Sequence, residues 1–404
     1  MSRRRPLGLL VASLGLAAAV VAHFGALGDY PQDAGPPVSA LASGHVLEAL
    51  RLESLMGSVS IFLRAPFVAL AHGLGAGGLG AYRAGALVCL VPAALLGAVL
   101  ARSAHDRSCT RGVALLVAVL AVASPPLVAA VRLGHPEEAL AAVLAVGSVL
   151  LAARDRPIPA AILLGLALAT KQWTLVAVAP VAIAAPRPAR FRLVAVAAAV
   201  AALLTLPAFA ADASGFIHMN HQAATTPRTI GHATVWFLLA KPHLLHLHHV
   251  PAGLPTELTV YHVPAWVMSV SHPLIVLVPL PLAVLVARRN AADARTCAPA
   301  LLALAFLLRC VLDPVDNAYY HLPLFLALLA YETTMRMRRL PIVSLLTAGA
   351  LWLTFDRVEP LASPVLTNSM YLAWTAVLGV FLVHALGLLP RPSPRVGRRA
   401  ATAV

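Results

Sequence analysis

What most constrains this chain is the recurrence of long apolar runs separated by short, arginine-bearing joints. After Ser2-Arg3-Arg4-Arg5, the run from Pro6 to Gly28 is about as long as a bilayer-spanning helix, which needs roughly 20 residues. Further runs lie at 79–101, 112–131, 137–153, 158–170, 172–185, 192–210, 263–287, 297–312, 319–335, 340–354 and 369–389. In hydrocarbon every backbone N–H and C=O must be satisfied inside the segment, so such runs fold as helices. Composition agrees, with 60% of residues hydrophobic and 11% charged, against roughly 25% charged in soluble domains. A soluble globule, a disordered chain and a secreted disulfide scaffold are excluded. The expectation is an all-α polytopic membrane protein.

The joints set an orientation. Arg102/Arg107/Arg111, Arg154/Arg156, Arg187/Arg190/Arg192, Arg288/Arg289/Arg295, Arg336/Arg338/Arg339 and the tail Arg391, Arg395, Arg398 and Arg399 fall on one side. The opposite joints hold mainly Arg51, Arg132, Arg228, Lys241 and Arg357. Positive charge collects on the cytoplasmic side, so both termini are placed in the cytoplasm of a plasma-membrane protein. The net charge of +14 is this topological signal, and nucleic acid is not expected as a partner. The first run has the grammar of a signal peptide as well, but no clear small-x-small cleavage site precedes the polar stretch, and it reads as an uncleaved helix.

Two stretches complicate the count. Residues 58–76 are apolar but carry Arg64, Pro66 and His72, and 45–76 reads as helices lying at the outer interface with Arg64 at headgroup level. Residues 158–185 start and end beside cytoplasmic arginines, so they read as a shallow hairpin turning at Thr170-Lys171-Gln172-Trp173. The outcome is one integral membrane domain over 1–404. It has about ten full spans plus one short helical hairpin, a first outer loop at 29–78 with interfacial helices, a second at 211–262, and a basic cytoplasmic tail at 390–404. The sizeable hydrophilic segments lie outside, and chemistry is expected there.

Asp29 and Asp33 follow the first span in GDYPQDAGPP. They read either as solvated loop carboxylates or as a general base at the lipid–water boundary, taking a proton from an acceptor hydroxyl as it attacks a lipid-borne donor. The joint Arg132-Leu-Gly-His135-Pro-Glu137-Glu138 packs two acids and a histidine into a tight turn. Helix N-terminal acids are one account of it, acceptor positioning the other. Lys171, the first lysine of the chain, is either a phosphate ligand or a snorkelling side chain beside Trp173. Arg309 and Asp313 are spaced as a helical ion pair. With Asn317, Tyr319, Tyr320 and His321 they read as either the rim of a sugar pocket or an interfacial belt. The string His243-x-x-His246-x-His248-His249 is compatible with metal but has no Cys or carboxylate beside it. Cys89, Cys109, Cys297 and Cys310 have no metal-ligand spacing, so neither disulfides nor Cys-based zinc is expected. Walker, dinucleotide, HExxH and GxSxG motifs do not occur.

The stretches GDYPQDAGPPVSALASGH, ESLMGSVSIFLRAPF, RCVLDPVDNAYYHLP and the long LGHPEEAL…LATKQWTLVAVAP together resemble the polytopic glycosyltransferases of the GT-C superfamily. They are most similar to glycosyltransferase family 87, of the polyprenyl-phosphate-mannose-dependent type. The resemblance implies a hexosyl, mannose-like group moved from a polyprenyl-phosphate donor to a lipid or glycan acceptor, with inversion and with membrane lipids as surroundings. It implies a catalytic Asp in the first outer loop, here Asp33 or Asp29. No cofactor is certain, and a divalent metal stays open because metal use varies in such enzymes. Lys171, Arg309 or His321 would neutralise the leaving phosphate, Tyr319 and Tyr320 would hold the sugar, and Glu137 and Glu138 would orient the acceptor. The competing reading is a transporter or lipid flippase for an envelope precursor, which would show repeated halves and a polar path across the membrane.

Overall fold

The computed structural model describes residues 4–23, 27–52, 57–107, 109–225, 229–246, 257–290, 294–336 and 339–389. The basic tail 390–404, His248, His249, Arg228 and Arg338 lie outside them. The chain is helical almost throughout, and six helices are long and apolar enough to cross a bilayer. They are Gly78–Asp106, Arg111–Arg132, Arg187–Ala211, Ala265–Arg289, Ala294–Leu312 and Pro364–Ala385. Shorter apolar helices occupy Leu7–His23, Ser58–Gly73, Pro157–Leu168 and Gln172–Ala184. The chain is thus a multi-pass membrane protein with six helices of spanning length among the described residues, where the apolar runs gave about ten.

Glu137–Ala153 is apolar on every side, and nearly all of it is buried. A helix apolar all round belongs at the centre of a bundle, and the other helices wrap it. Without a hydrophobic driving force between helices in lipid, small residues set how closely they approach. Gly97, in Gly78–Asp106, leaves room for Ala118 and Ala121 of the next helix, and Gly165 for Ala197 and Val200.

Proline shapes the path to the site. The helix from Arg111 breaks at Ser124, where Pro125 and Pro126 begin a new segment that ends at Arg132. Proline suits a first turn because its missing N–H has no intrahelical partner there anyway. The bend delivers the joint 133–136 to the same end of the bundle as the first loop. The hairpin expected over 158–185 is present as a helix over Pro157–Leu168, a turn through Lys171, and a returning segment over Gln172–Ala184.

One element departs from an all-helical chain. In the second outer stretch, β1 (Lys241–His246) pairs antiparallel with β2 (Glu257–His262), Lys241 opposite His262 and His246 opposite Glu257. Pro242 and the histidines of β1 gave no alternating apolar pattern, whereas Leu258, Thr259, Val260 and Tyr261 of β2 carried a short strand signal that was not read.

Candidate active site

The first loop is locked to the joint between the third and fourth apolar segments by two glycines. Gly28 has φ +55° and Gly134 φ +90°. A Cβ on Gly28 would lie 2.2 Å from the Leu133 carbonyl carbon, and one on Gly134 would lie 2.6 Å from both Leu27 O and Tyr30 N. Only glycine fits such positive φ and so close an approach. Across this contact the Asp29 N–H donates to Leu133 O at 3.0 Å, and one turn later the Asp33 N–H donates to Asp29 O at 3.0 Å. That turn places Asp29 and Asp33 on one face, above His135.

His135 joins the loop to the buried layer. Its Nε2 lies 3.3 Å from Asp29 Oδ2 and 3.9 Å from Asp33 Oδ2, and its Nδ1 lies 3.1 Å from Glu137 Oε1. Glu137 in turn meets Lys171 Nζ at 3.3 Å and Arg64 at 3.2 Å, and Lys171 meets Glu138 at 3.2 Å. Four chain segments therefore converge: the first loop, Ser58–Gly73, the start of Glu137–Ala153 and the hairpin turn. The two glutamates also occupy a helix N-terminus, where negative charge is favoured. Arg64 caps the Tyr30 ring at 4.6 Å.

The polar turn after Ala294–Leu312 forms a further wall. Tyr319 stacks on His135 with ring centroids 4.7 Å apart, and Tyr320 meets Tyr319 edge to face. Arg309 lies between the Tyr320 and Trp173 rings, at 4.6 and 4.8 Å, and donates to Tyr320 O at 2.9 Å. The expected Arg309–Asp313 ion pair is not formed among the described residues. Asp313 accepts from the Val315 N–H and shapes the turn, while Asn317 offers its carbonyl to His321 Nδ1. His321 is fully buried behind this wall, 3.3 Å from Asp316 and 3.1 Å from the Tyr371 hydroxyl.

Exposure separates the roles. The Asp29 and Asp33 side chains are 58% and 38% exposed, whereas those of His135 and Glu137 are 5% and 0% exposed. Of the Asp29–Asp33–His135–Glu137 chain, only the two aspartates are open to a substrate. Partial burial holds the Asp33 carboxyl above the ordinary carboxylate range, with the negative charge of Asp29 adding and the His135 cation opposing. At His135, burial disfavours the imidazolium, but the hydrogen bond and charge of Glu137 outweigh it and raise the pKa. A carboxylate of raised basicity at an open edge, backed by a fixed histidine, is equipped to accept a proton.

Of the residues singled out in the sequence, Asp29, Asp33, His135, Glu137, Glu138 and Lys171 share one network, and Tyr319, Tyr320 and Arg309 pack onto it through rings. Asp313, Asn317 and His321 shape the turn behind. Arg64 is the main residue missed. It is fully buried and bound to Glu137, and the cost of a cation in an apolar run was its available signal. Of the histidine string, the two described members do not converge: His246 pairs with Glu257 at 3.3 Å, and His243 faces His262 with rings 5.1 Å apart. The alternation of strand side chains puts these two pairs on opposite faces.

Comparisons with curated proteins and with solved structures find no match. The family model of Glycosyltransferase family 87 matches residues 66–314, which take in His135, Glu137, Glu138, Lys171, Arg309 and Asp313. That is more than half of the chain, and it spans the joint and the hairpin turn that carry Glu137, Glu138 and Lys171. The chain belongs to glycosyltransferase family 87.

Proposed function

We propose that this glycosyltransferase moves a mannose-like hexose from a polyprenyl-phosphate donor to a lipid or glycan acceptor at the outer face of the plasma membrane, its termini lying in the cytoplasm. Asp33 is the general base. The observation that carries this reading is the half-exposed Asp29–Asp33 pair set over His135, itself fixed by the buried Glu137–Lys171–Arg64 network.

In the displacement, the acceptor oxygen attacks the anomeric carbon while Asp33 takes the hydroxyl proton. The bond from the anomeric carbon to the phosphate oxygen breaks, its electron pair leaves with the polyprenyl phosphate, and the anomeric centre inverts. Asp29 and Glu137 hold His135 from either side, so His135 and Glu137 act as positioning residues, and Glu138 does the same for Lys171. Because Lys171 is held by two carboxylates, its charge is largely answered within the protein. Arg309 has no carboxylate partner at ion-pair distance among the described residues, and once the Tyr320 and Trp173 rings that sandwich it part, its charge is available to the leaving phosphate. Tyr319 and Tyr320 would contact the sugar through their ring edges and hydroxyls.

The test presents purified chain in lipid nanodiscs with an acceptor lipid extract and radiolabelled hexose on either polyprenyl phosphate or a nucleoside diphosphate. Label should enter the acceptor from the polyprenyl donor alone. Transfer from the nucleotide sugar, with none from the lipid-linked sugar, would overturn the donor assignment.

A further inference from the structure

Behind the tyrosine wall lies a second cluster that the transfer chemistry does not use. Cys310, near the end of Ala294–Leu312, comes together with Asp316 and His321, and one ligand atom from each lies within 4.8 Å of the others. All three residues are buried. Asp316 is aimed into the cluster, and the groups close to its carboxylate are His321 and the Tyr371 hydroxyl, with no cationic Lys or Arg side chain paired to it among the described residues. His321 Nε2 lies 3.3 Å from its Oδ2. A buried carboxylate with so little compensation calls for a counter-charge.

From this geometry we propose that Cys310, Asp316 and His321 bind one zinc ion, with the Tyr371 hydroxyl as the fourth donor. Ligand atoms placed tetrahedrally at about 2.0–2.3 Å from an ion lie about 3.3–3.8 Å apart, so the observed spacing closes onto zinc with small side-chain movements. One His321 tautomer suits the metal: with its Nδ1 proton donated to the Asn317 carbonyl 3.4 Å away, Nε2 keeps its lone pair for the ion. Such outer hydrogen bonds are what orient a metal-ligating histidine. Tyr371 Oη stands 3.1 Å from Nε2, near enough to complete the shell.

The charges balance. On binding, the Cys310 thiol releases its proton to solvent, and the thiolate and the Asp316 carboxylate together neutralise Zn2+. The thiol now contacts Tyr320 O at 3.3 Å. That carbonyl also accepts from Arg309, so loss of the thiol proton leaves it with a partner. A thiolate with imidazole and carboxylate suits zinc and disfavours magnesium or calcium, which take oxygen ligands. The ion would be structural, tying the end of Ala294–Leu312 and the helix Pro364–Ala385 to the turn that presents Tyr319 and Tyr320. It goes beyond the transferase reading and stands or falls separately.

The full-length chain, purified in detergent without chelators, is assayed for zinc by mass spectrometry, then stripped and loaded with Co2+. The expected result is about one zinc per chain, as for a closed structural site, and a thiolate-to-cobalt charge-transfer band. The band is lost in Cys310→Ser and retained in Cys297→Ser, and stripping lowers the unfolding temperature of the wild type but not of Cys310→Ser. Zinc-free, monodisperse wild type that takes up no cobalt would overturn the proposal. So would a metal that remains bound, band included, in both Cys310→Ser and His321→Ala.

Discussion

Glu137→Gln tests the ion network most sharply, because it removes one charge while keeping size and shape. Glu137 meets Arg64 at 3.2 Å, Lys171 at 3.3 Å and His135 at 3.1 Å. Lys171 keeps Glu138 at 3.2 Å, so the group left alone is Arg64. Its Nε and one terminal nitrogen already lack hydrogen-bond partners. At an effective dielectric of about 20, one such pair at close range is worth on the order of 4 kcal/mol. Breaking a buried pair from one side typically costs about 3–5 kcal/mol. The expected loss for Glu137→Gln is therefore about 3–5 kcal/mol, the range found when a buried charge loses its partner, read by SDS titration in mixed micelles with tryptophan fluorescence. Glu138→Gln, which leaves Lys171 with Glu137, loses less. Adding Arg64→Met to Glu137→Gln removes the stranded cation, so the double variant should be more stable than the sum of the single effects by roughly 0.5–3 kcal/mol. A Glu137→Gln loss under about 0.5 kcal/mol, the scale of ordinary surface changes, or strict additivity with Arg64→Met, would refute the network as described.

Gly134→Ala should destabilise the fold by more than about 1 kcal/mol, since alanine is strained at positive φ and its Cβ would strike the Leu27 carbonyl. It should also reduce transfer by pulling Asp29 and Asp33 from His135; a variant with wild-type stability and rate would contradict the docking of the first loop. The pH–rate profile should rise with pH along a limb set by ionisation of Asp33, above the ordinary aspartate value of about 3.9, because a base must be ionised to act. The groups facing Asp33 are His135, Asp29, Lys171 and Glu137. His135→Asn removes a cation that favours the carboxylate, so it should move the limb to higher pH, and an unmoved or lowered limb would contradict the contact.

Much of this was legible in the chain because the bilayer imposes its own grammar. Runs of apolar residues and arginine joints announced a helical membrane protein, and the turn at Lys171 followed from a hairpin that had to return to its own side. Asp29, Asp33, His135 and the two glutamates stood out because polar groups clustered between spans need a reason. The pairing itself was not readable, since it depends on Gly28 and Gly134 interlocking segments more than a hundred residues apart. The role of Arg64 was not readable because an arginine in a short amphipathic stretch and one buried against a distant glutamate look alike until the partner is known. The grouping of Cys310 with His321 was unreadable for a related reason: their eleven-residue separation has no motif, and the turn through Asp316 brings them together. In the ribbon of β1 and β2, the exposed β1 lacks the alternation that marks a half-buried sheet, and β2 is too short to stand out alone.

The most direct test of the central claim is the rate of hexose transfer from the polyprenyl-phosphate donor by wild type, Asp33→Asn and Asp29→Asn under single-turnover conditions. Removal of a general base should slow Asp33→Asn by about 10²–10⁴-fold. Asp29→Asn, acting through His135, should lose less. Wild-type rates in both variants would remove the first-loop carboxylates from the chemistry and contradict the account.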